Sequence, residues 1–89
     1  MEIRVLKYFL TVAQEQSFSK AAKVLNVSQP ALSKQIKDLE EEYQITLFNR
    51  TTRSLSLTEE GRLFKEQTKQ IISLVNHTDS YLKNINKYI

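Results

Sequence analysis

Apolar residues recur along this chain with a helical period in three long or short stretches and with a strand period in one. In the first stretch Ile3, Leu6, Leu10 and Ala13 fall on one face, and Val5, Phe9 and Val12 widen it. The pattern predicts a helix from about Ile3 to Gln16 with a broad buried side. Ser17 and Phe18 break it, and Phe18 is expected to fold back onto the core. Ser19 offers the side-chain oxygen of an N-cap to a short second helix, Lys20 to Leu25, in which Ala21 and Ala22 permit close packing. A helix of that length does not stand alone in water and needs neighbours. Asn26 tolerates the left-handed backbone that ends a helix.

Ser28 is the expected cap of a third helix, with Pro30 in its first turn, where a missing N–H costs nothing. Leu32, Ile36 and Leu39 share one face, and Tyr43 continues it. Gln29, Ser33 and Lys37 repeat every four residues on another, with Lys34 beside Ser33. One side is built for burial, the other for reaching outward. The segments Leu47-Phe48-Asn49 and Ser54-Leu55-Ser56-Leu57 then read as two short strands of a hairpin turning around Thr51 and Thr52, without the Gly or Asn that such turns favour.

Thr58 is the next N-cap, and Glu59 and Glu60 set negative charge at the positive end of a last helix. This helix is expected to run from Glu59 to the chain end, roughly 46 Å at the usual helical rise. Gly61 falls in its first turn, where glycine costs least. Phe64, Thr68, Ile71, Val75, Thr78, Leu82, Ile85 and Ile89 follow at alternating steps of four and three, with Leu74, Tyr81 and Tyr88 flanking them every seven residues. That is a coiled-coil-like seam, diluted by threonines. The small body can cover only its early turns, so the seam is predicted to join two copies through Phe64, Ile71, Leu74, Val75, Thr78, Tyr81, Leu82 and Ile85. The fold class is therefore mainly α: three helices and a two-stranded wing over residues 1–58, then a dimerisation helix over residues 59–89.

Composition narrows the functional classes. A chain of 89 residues holds one small domain. It has no cysteine, and His77 is its only histidine, which leaves no set of metal ligands and no disulfide framework. Ser33 has no histidine partner, and there is no glycine-rich phosphate loop, so nothing suggests an enzyme or a cofactor. No apolar run is long enough to span a membrane and no signal peptide opens the chain, which fits a cytoplasmic protein. The net charge of +3 is modest, but its distribution is informative. Arg50 and Arg53 stand in a segment without an acid, whereas the run Glu40-Glu41-Glu42 would be repelled by a polyanion and turns the end of the third helix away from one.

Two short helices about a tight turn, the second opening on small polar residues and an exposed lysine, make a helix-turn-helix. A recognition helix enters the major groove by its N-terminal end, its first-turn amides can face phosphate, and a basic hairpin beside it can reach the backbone or the minor groove. The run from Phe18 to Ile36, together with Leu39-Glu40, Leu47-Phe48-Asn49-Arg50, Arg53 and Leu57-Thr58-Glu59-Glu60-Gly61, closely resembles the DNA-binding domain of LysR-type transcriptional regulators. The resemblance covers nearly the whole chain. It implies a winged domain that binds double-stranded DNA of approximate two-fold symmetry as a homodimer through the last helix. It also implies that Ser28, Gln29, Pro30, Ser33, Lys34 and Lys37 face DNA, with Arg50, Thr51 and Arg53 doing so from the wing. A longer regulator is expected, with any small-molecule effector bound by a domain beyond this chain. The other reading of the residues is a protein-interaction module using the same fold without DNA. Two positions depart from the family pattern: Gln44 stands where a glycine ends the recognition helix, and the wing tip Thr51-Thr52-Arg53-Ser54 has no glycine.

Overall fold

The structure is a computed structural model and describes residues 1–87. Three helices come first: α1 (Ile3–Glu15), α2 (Phe18–Leu25) and α3 (Gln29–Tyr43). Strands β1 (Phe48–Arg50) and β2 (Leu55–Leu57) follow, then α4 (Glu59–Asn84) and a closing 3-10 turn, Ile85–Lys87. The strands pair antiparallel, with Phe48 opposite Leu57, Asn49 opposite Ser56 and Arg50 opposite Leu55. This is the winged helix-turn-helix with a long C-terminal helix that the sequence pattern predicted. The last helix is shorter than expected, because Ile85 already belongs to the 3-10 turn. Tyr88 and Ile89, the final positions of the predicted seam, lie outside the described residues.

Helices α2, α3 and α4 open on a side-chain cap, and α1, α2 and α3 end on a left-handed residue. Ser17, not Ser19, caps α2: its hydroxyl accepts the N–H of Lys20, and the helix opens at Phe18. Serine stands at both positions, and the one with extended backbone does the capping. Ser28 caps α3 by accepting the N–H of Ala31, and Thr58 caps α4 by accepting that of Gly61. At the other ends Gln16, Asn26 and Gln44 all take left-handed backbone, with φ of 54°, 58° and 53°. After α2 and α3 the chain completes the six-to-one hydrogen bond of a Schellman motif, Val27 N–H to the Ala22 carbonyl and Ile45 N–H to that of Glu40. Val27 and Ile45 are thereby delivered to the core edge.

The core is built from Val5, Phe9, Val12 and Ala13 of α1, Ala21 and Ala22 of α2, Leu32, Ile36 and Leu39 of α3, and Leu47 and Phe48 at the root of the wing. Phe9 is its centre, with ring centroids 5.4 Å from Phe48 and 4.6 Å from Phe64. Phe18 folds back as expected, packing edge-on against Phe48 at 5.9 Å. Two predicted core positions face out instead. Ile3 is exposed, because the buried face of α1 centres on Val5, Phe9 and Val12, and Tyr43 is exposed at the end of α3.

Helix α4 packs along α1, and Gly61 lets its first turn close against Leu47 and Leu57 at the root of the wing. A Cβ at residue 61 would lie 2.1 Å from the Leu47 carbonyl oxygen and 2.9 Å from Leu57 Cδ2. Gly61 is therefore required by a close contact, beyond being tolerated in a first turn. Thr68, two turns further on, is fully buried, and its hydroxyl finds no hydrogen-bond partner among the described residues. It belongs to the interior of its own chain and not to an outward seam.

Two stability changes follow. Gly61→Ala drives a methyl group into backbone, and thermal or denaturant melts should show a loss of about 1–3 kcal/mol or more. Gln44→Gly relieves a side chain held at positive φ and should raise stability by about 0.5–1 kcal/mol. A loss in that melt would show that the Gln44 side chain contributes more than its backbone conformation costs.

Candidate nucleic-acid interface

The outward face of the helix-turn-helix is built at the start of α3. Ser28 holds the first turn, which leaves Gln29, Pro30 and Ala31 exposed at the positive end of the helix dipole. Ser33 lies half-buried one turn on, and Lys34 and Lys37 are exposed beyond it. The hydroxyl of Ser19, displaced from the capping role, donates to Gln29 Oε1 at 3.2 Å and so ties the start of α2 to the first residue of α3. Lys34 Nζ meets Asp38 Oδ2 at 2.9 Å on the next turn. This hydrogen bond, with the nearby charge of Asp38 and Glu41, holds the lysine above its usual pKa.

The wing places its residues differently. Thr51 organises the tip: its N–H donates to the Ser54 carbonyl, and its hydroxyl oxygen accepts the N–H of Ser54 at 2.9 Å and that of Arg53 at 3.3 Å. No residue of this turn has positive φ. The missing glycine is thus replaced by a hydroxyl that closes the turn from within. Arg53 is exposed at the tip and makes no ion pair among the described residues. Arg50 does: its guanidinium meets Glu40 Oε1 at 2.9 Å and lies 5.1 Å from the centre of the Phe18 ring.

Glu40 is the residue that the acidic-run reading missed. Glu41 and Glu42 face solvent, but the Glu40 side chain is only 13% exposed and turns toward the wing. Its Oε2 accepts the N–H of Leu47 at 2.7 Å and of Phe48 at 3.4 Å. The signal available in the sequence was spacing: Glu40 directly follows Leu39 on the buried face, one turn after Ile36, which sets it at the rim of the core and not on the far side. Lys37, Glu40, Glu41, Gln44, Ile45, Thr46 and Arg50 line an open groove between α3 and the wing.

On α4 the residues predicted for a seam divide. Phe64 is taken up by its own core against Phe9, and Val75 is half-buried. Ile71, Leu74, Thr78, Tyr81 and Leu82 are exposed, with Leu74 at 64%, Tyr81 at 55% and Leu82 at 58%. Ile85 is half-buried in the 3-10 turn. Leu63, absent from the sequence-derived seam, is also exposed, and steps of eleven and seven residues put it in line with Leu74 and Tyr81. Beyond Val75 the helix runs clear of the body, giving a molecule of 55 × 25 × 20 Å. Among the described residues no helix is long and apolar enough to cross a membrane.

Residues 3–62 match the family described as "Bacterial regulatory helix-turn-helix protein, lysR family". The chain belongs to this family. Its LysR-family relatives are named as transcriptional regulators. The HTH-type transcriptional regulator BudR of Klebsiella aerogenes is 53% identical over 74 residues, which are 83% of this chain and 52% of BudR. Among solved structures, the BenM chain of a "BenM_DBD/catB site 1 DNA Complex" superposes with a TM-score of 0.93 at 44% identity, covering 97% of this chain and 96% of that one. Full-length CbnR "complexed with the target DNA" gives a TM-score of 0.86 at 36% identity, covering 94% of this chain and 29% of CbnR. The chain thus spans about half the length of BudR and under a third of full-length CbnR, and residues 3–62 are the helix-turn-helix part of this regulator family.

Proposed function

We propose that this chain binds double-stranded operator DNA as a homodimer and supplies the DNA-binding part of a bacterial LysR-type transcriptional regulator. The observation that carries the reading is the capped, exposed start of α3, where Gln29, Pro30, Ser33 and Lys34 gather at the positive end of a helix dipole beside a wing whose tip bears an arginine without an ion pair among the described residues. Polar side chains at that end suit base edges, and the Ser28-capped amides suit a phosphate. Lys37 faces the groove toward the wing, where a DNA backbone would run. Arg50, Thr51 and Arg53 lie on the wing, the second region turned toward DNA, and Arg53 at its tip is the cation that has no ion pair among the described residues. The likeness to chains solved in DNA complexes, BenM and CbnR, supports the same assignment.

The second half of the reading concerns residues 59–89. Its first turns complete the core of residues 1–58. Further along, Ile71, Leu74, Tyr81 and Leu82 stay exposed in their own chain, at roughly 1.5–3 kcal/mol for each large one left in water. A second copy of α4 covers them with identical residues, as two-fold symmetry requires. Two recognition helices at fixed spacing then read two half-sites, and a small effector belongs to the remainder of the longer regulators. The compartment is the cytoplasm, where the operator lies.

Lys34 must exchange Asp38 for DNA on this reading. Lys34→Ala should weaken a selected operator by about 1–3 kcal/mol and random duplex by less, in a gel-shift comparison. Equal losses on both would make Lys34 a phosphate contact. Leu82→Asp should separate the subunits. Ultracentrifugation should report monomer, circular dichroism a folded body, and operator affinity should fall toward that for random DNA. A variant that stays dimeric removes α4 as the interface.

A further inference from the structure

The acid that turns inward from α3 has both carboxylate oxygens in use, and both lead to the wing. Oε2 takes the first two N–H groups of the strand region, Leu47 and Phe48, and Oε1 takes Arg50 at the strand's far end. Arg50 is held from a second side by the Phe18 ring on α2, and Phe18 packs in turn on Phe48. Both helices of the helix-turn-helix are therefore joined to β1 through one arginine. We propose that Glu40 and Arg50 form a latch that fixes the angle of the wing to the recognition helix, making Arg50 a positioning residue and leaving Arg53 as the wing cation that meets DNA. The proposal rests on the DNA-binding reading above.

The charge arithmetic separates this from the simpler view that both arginines touch phosphate. Binding to DNA releases condensed counterions in proportion to the phosphates neutralised, at about 0.9 of a unit of log–log salt slope for each. Arg50 paired with Glu40 brings no net charge to a phosphate. To reach one it would leave a poorly solvated carboxylate beside a polyanion, which costs more than the new contact returns. Arg53 has no such debt, since no carboxylate lies within ion-pair distance of it among the described residues. A wing set at the wrong angle would still be basic, so random DNA would tolerate its displacement. A specific site needs recognition helix and wing in register, and would not.

The test is a salt series of affinities for the full chain on two probes: the winning sequence of a selection from random duplexes, and an unselected duplex of equal length. Arg53→Gln should reduce the slope by about 0.9 on both. Arg50→Gln should leave the slope unchanged, lower affinity for the selected sequence about tenfold and leave the unselected duplex unaffected. Glu40→Gln keeps an oxygen for the backbone N–H groups but drops the ion pair. It should cost the same tenfold on the selected sequence while steepening the slope, because it frees Arg50. The double variant should bind no worse than either single one. A slope reduced by about one unit in Arg50→Gln overturns the latch, as does a Glu40→Gln protein that binds the selected sequence normally. Equal losses on both probes at constant slope also overturn it, since they reflect general loss of structure. If Glu40→Gln does not fold by circular dichroism, the slope of Arg50→Gln decides alone. Absence of salt-dependent binding by the unmodified chain is a separate result, and it removes the DNA reading itself.

Discussion

The peptide groups of Leu47 are bonded on both sides, and three parts of the molecule meet there. Its N–H goes to Glu40 on α3, its carbonyl accepts the N–H of Thr58 at the start of α4, and its side chain is fully buried. Gly61 presses the first turn of α4 against the same carbonyl, at a distance that admits no Cβ. A buried peptide unit must find partners for both its polar groups, so this point is either satisfied as it stands or costly. The wing's position, the direction of α4 and the end of α3 are all fixed relative to it. The core gives the molecule its stability in bulk, and Leu47 gives it angles.

Most of the architecture could be read from the chain because its signals are local. Helical spacing, Ser28 and Thr58 as caps, Asn26 as a stop and the serine–leucine alternation of β2 each act within a few residues of themselves. The limits appear where two candidates compete or where the partner is distant in sequence. Ser17 and Ser19 are equally good caps by type, and only the turn geometry after Gln16 chooses between them. Tyr43 continues the apolar face of α3 by spacing, but the core ends one turn earlier, so it stays outside.

The candidate site shows the same division. Gln29, Ser33, Lys34 and Lys37 were legible because their surface is one helical face. Arg50 and Glu40 look like two unrelated charges in sequence, ten residues apart, and become a pair only when the chain reverses at Ile45. Phe64 and Thr68 satisfy a heptad as well as Ile71 and Leu82 do. What separates them is the reach of α1, since side chains alongside it are covered by their own chain and those beyond it are not. A periodic pattern gives the phase of a helix and says nothing about where its neighbour stops.

The wing turn closed by the Thr51 hydroxyl carries a last consequence. A glycine at such a tip buys conformational range, and that range must be surrendered whenever the tip is held against something. Here the side chain of the first turn residue spends its own hydrogen bonds on the backbone, so Thr52 and Arg53 stand on a loop whose shape is set before any encounter. Such a tip loses little entropy on docking and has little capacity to adapt. It favours surfaces of one width and rejects those that would require it to bend.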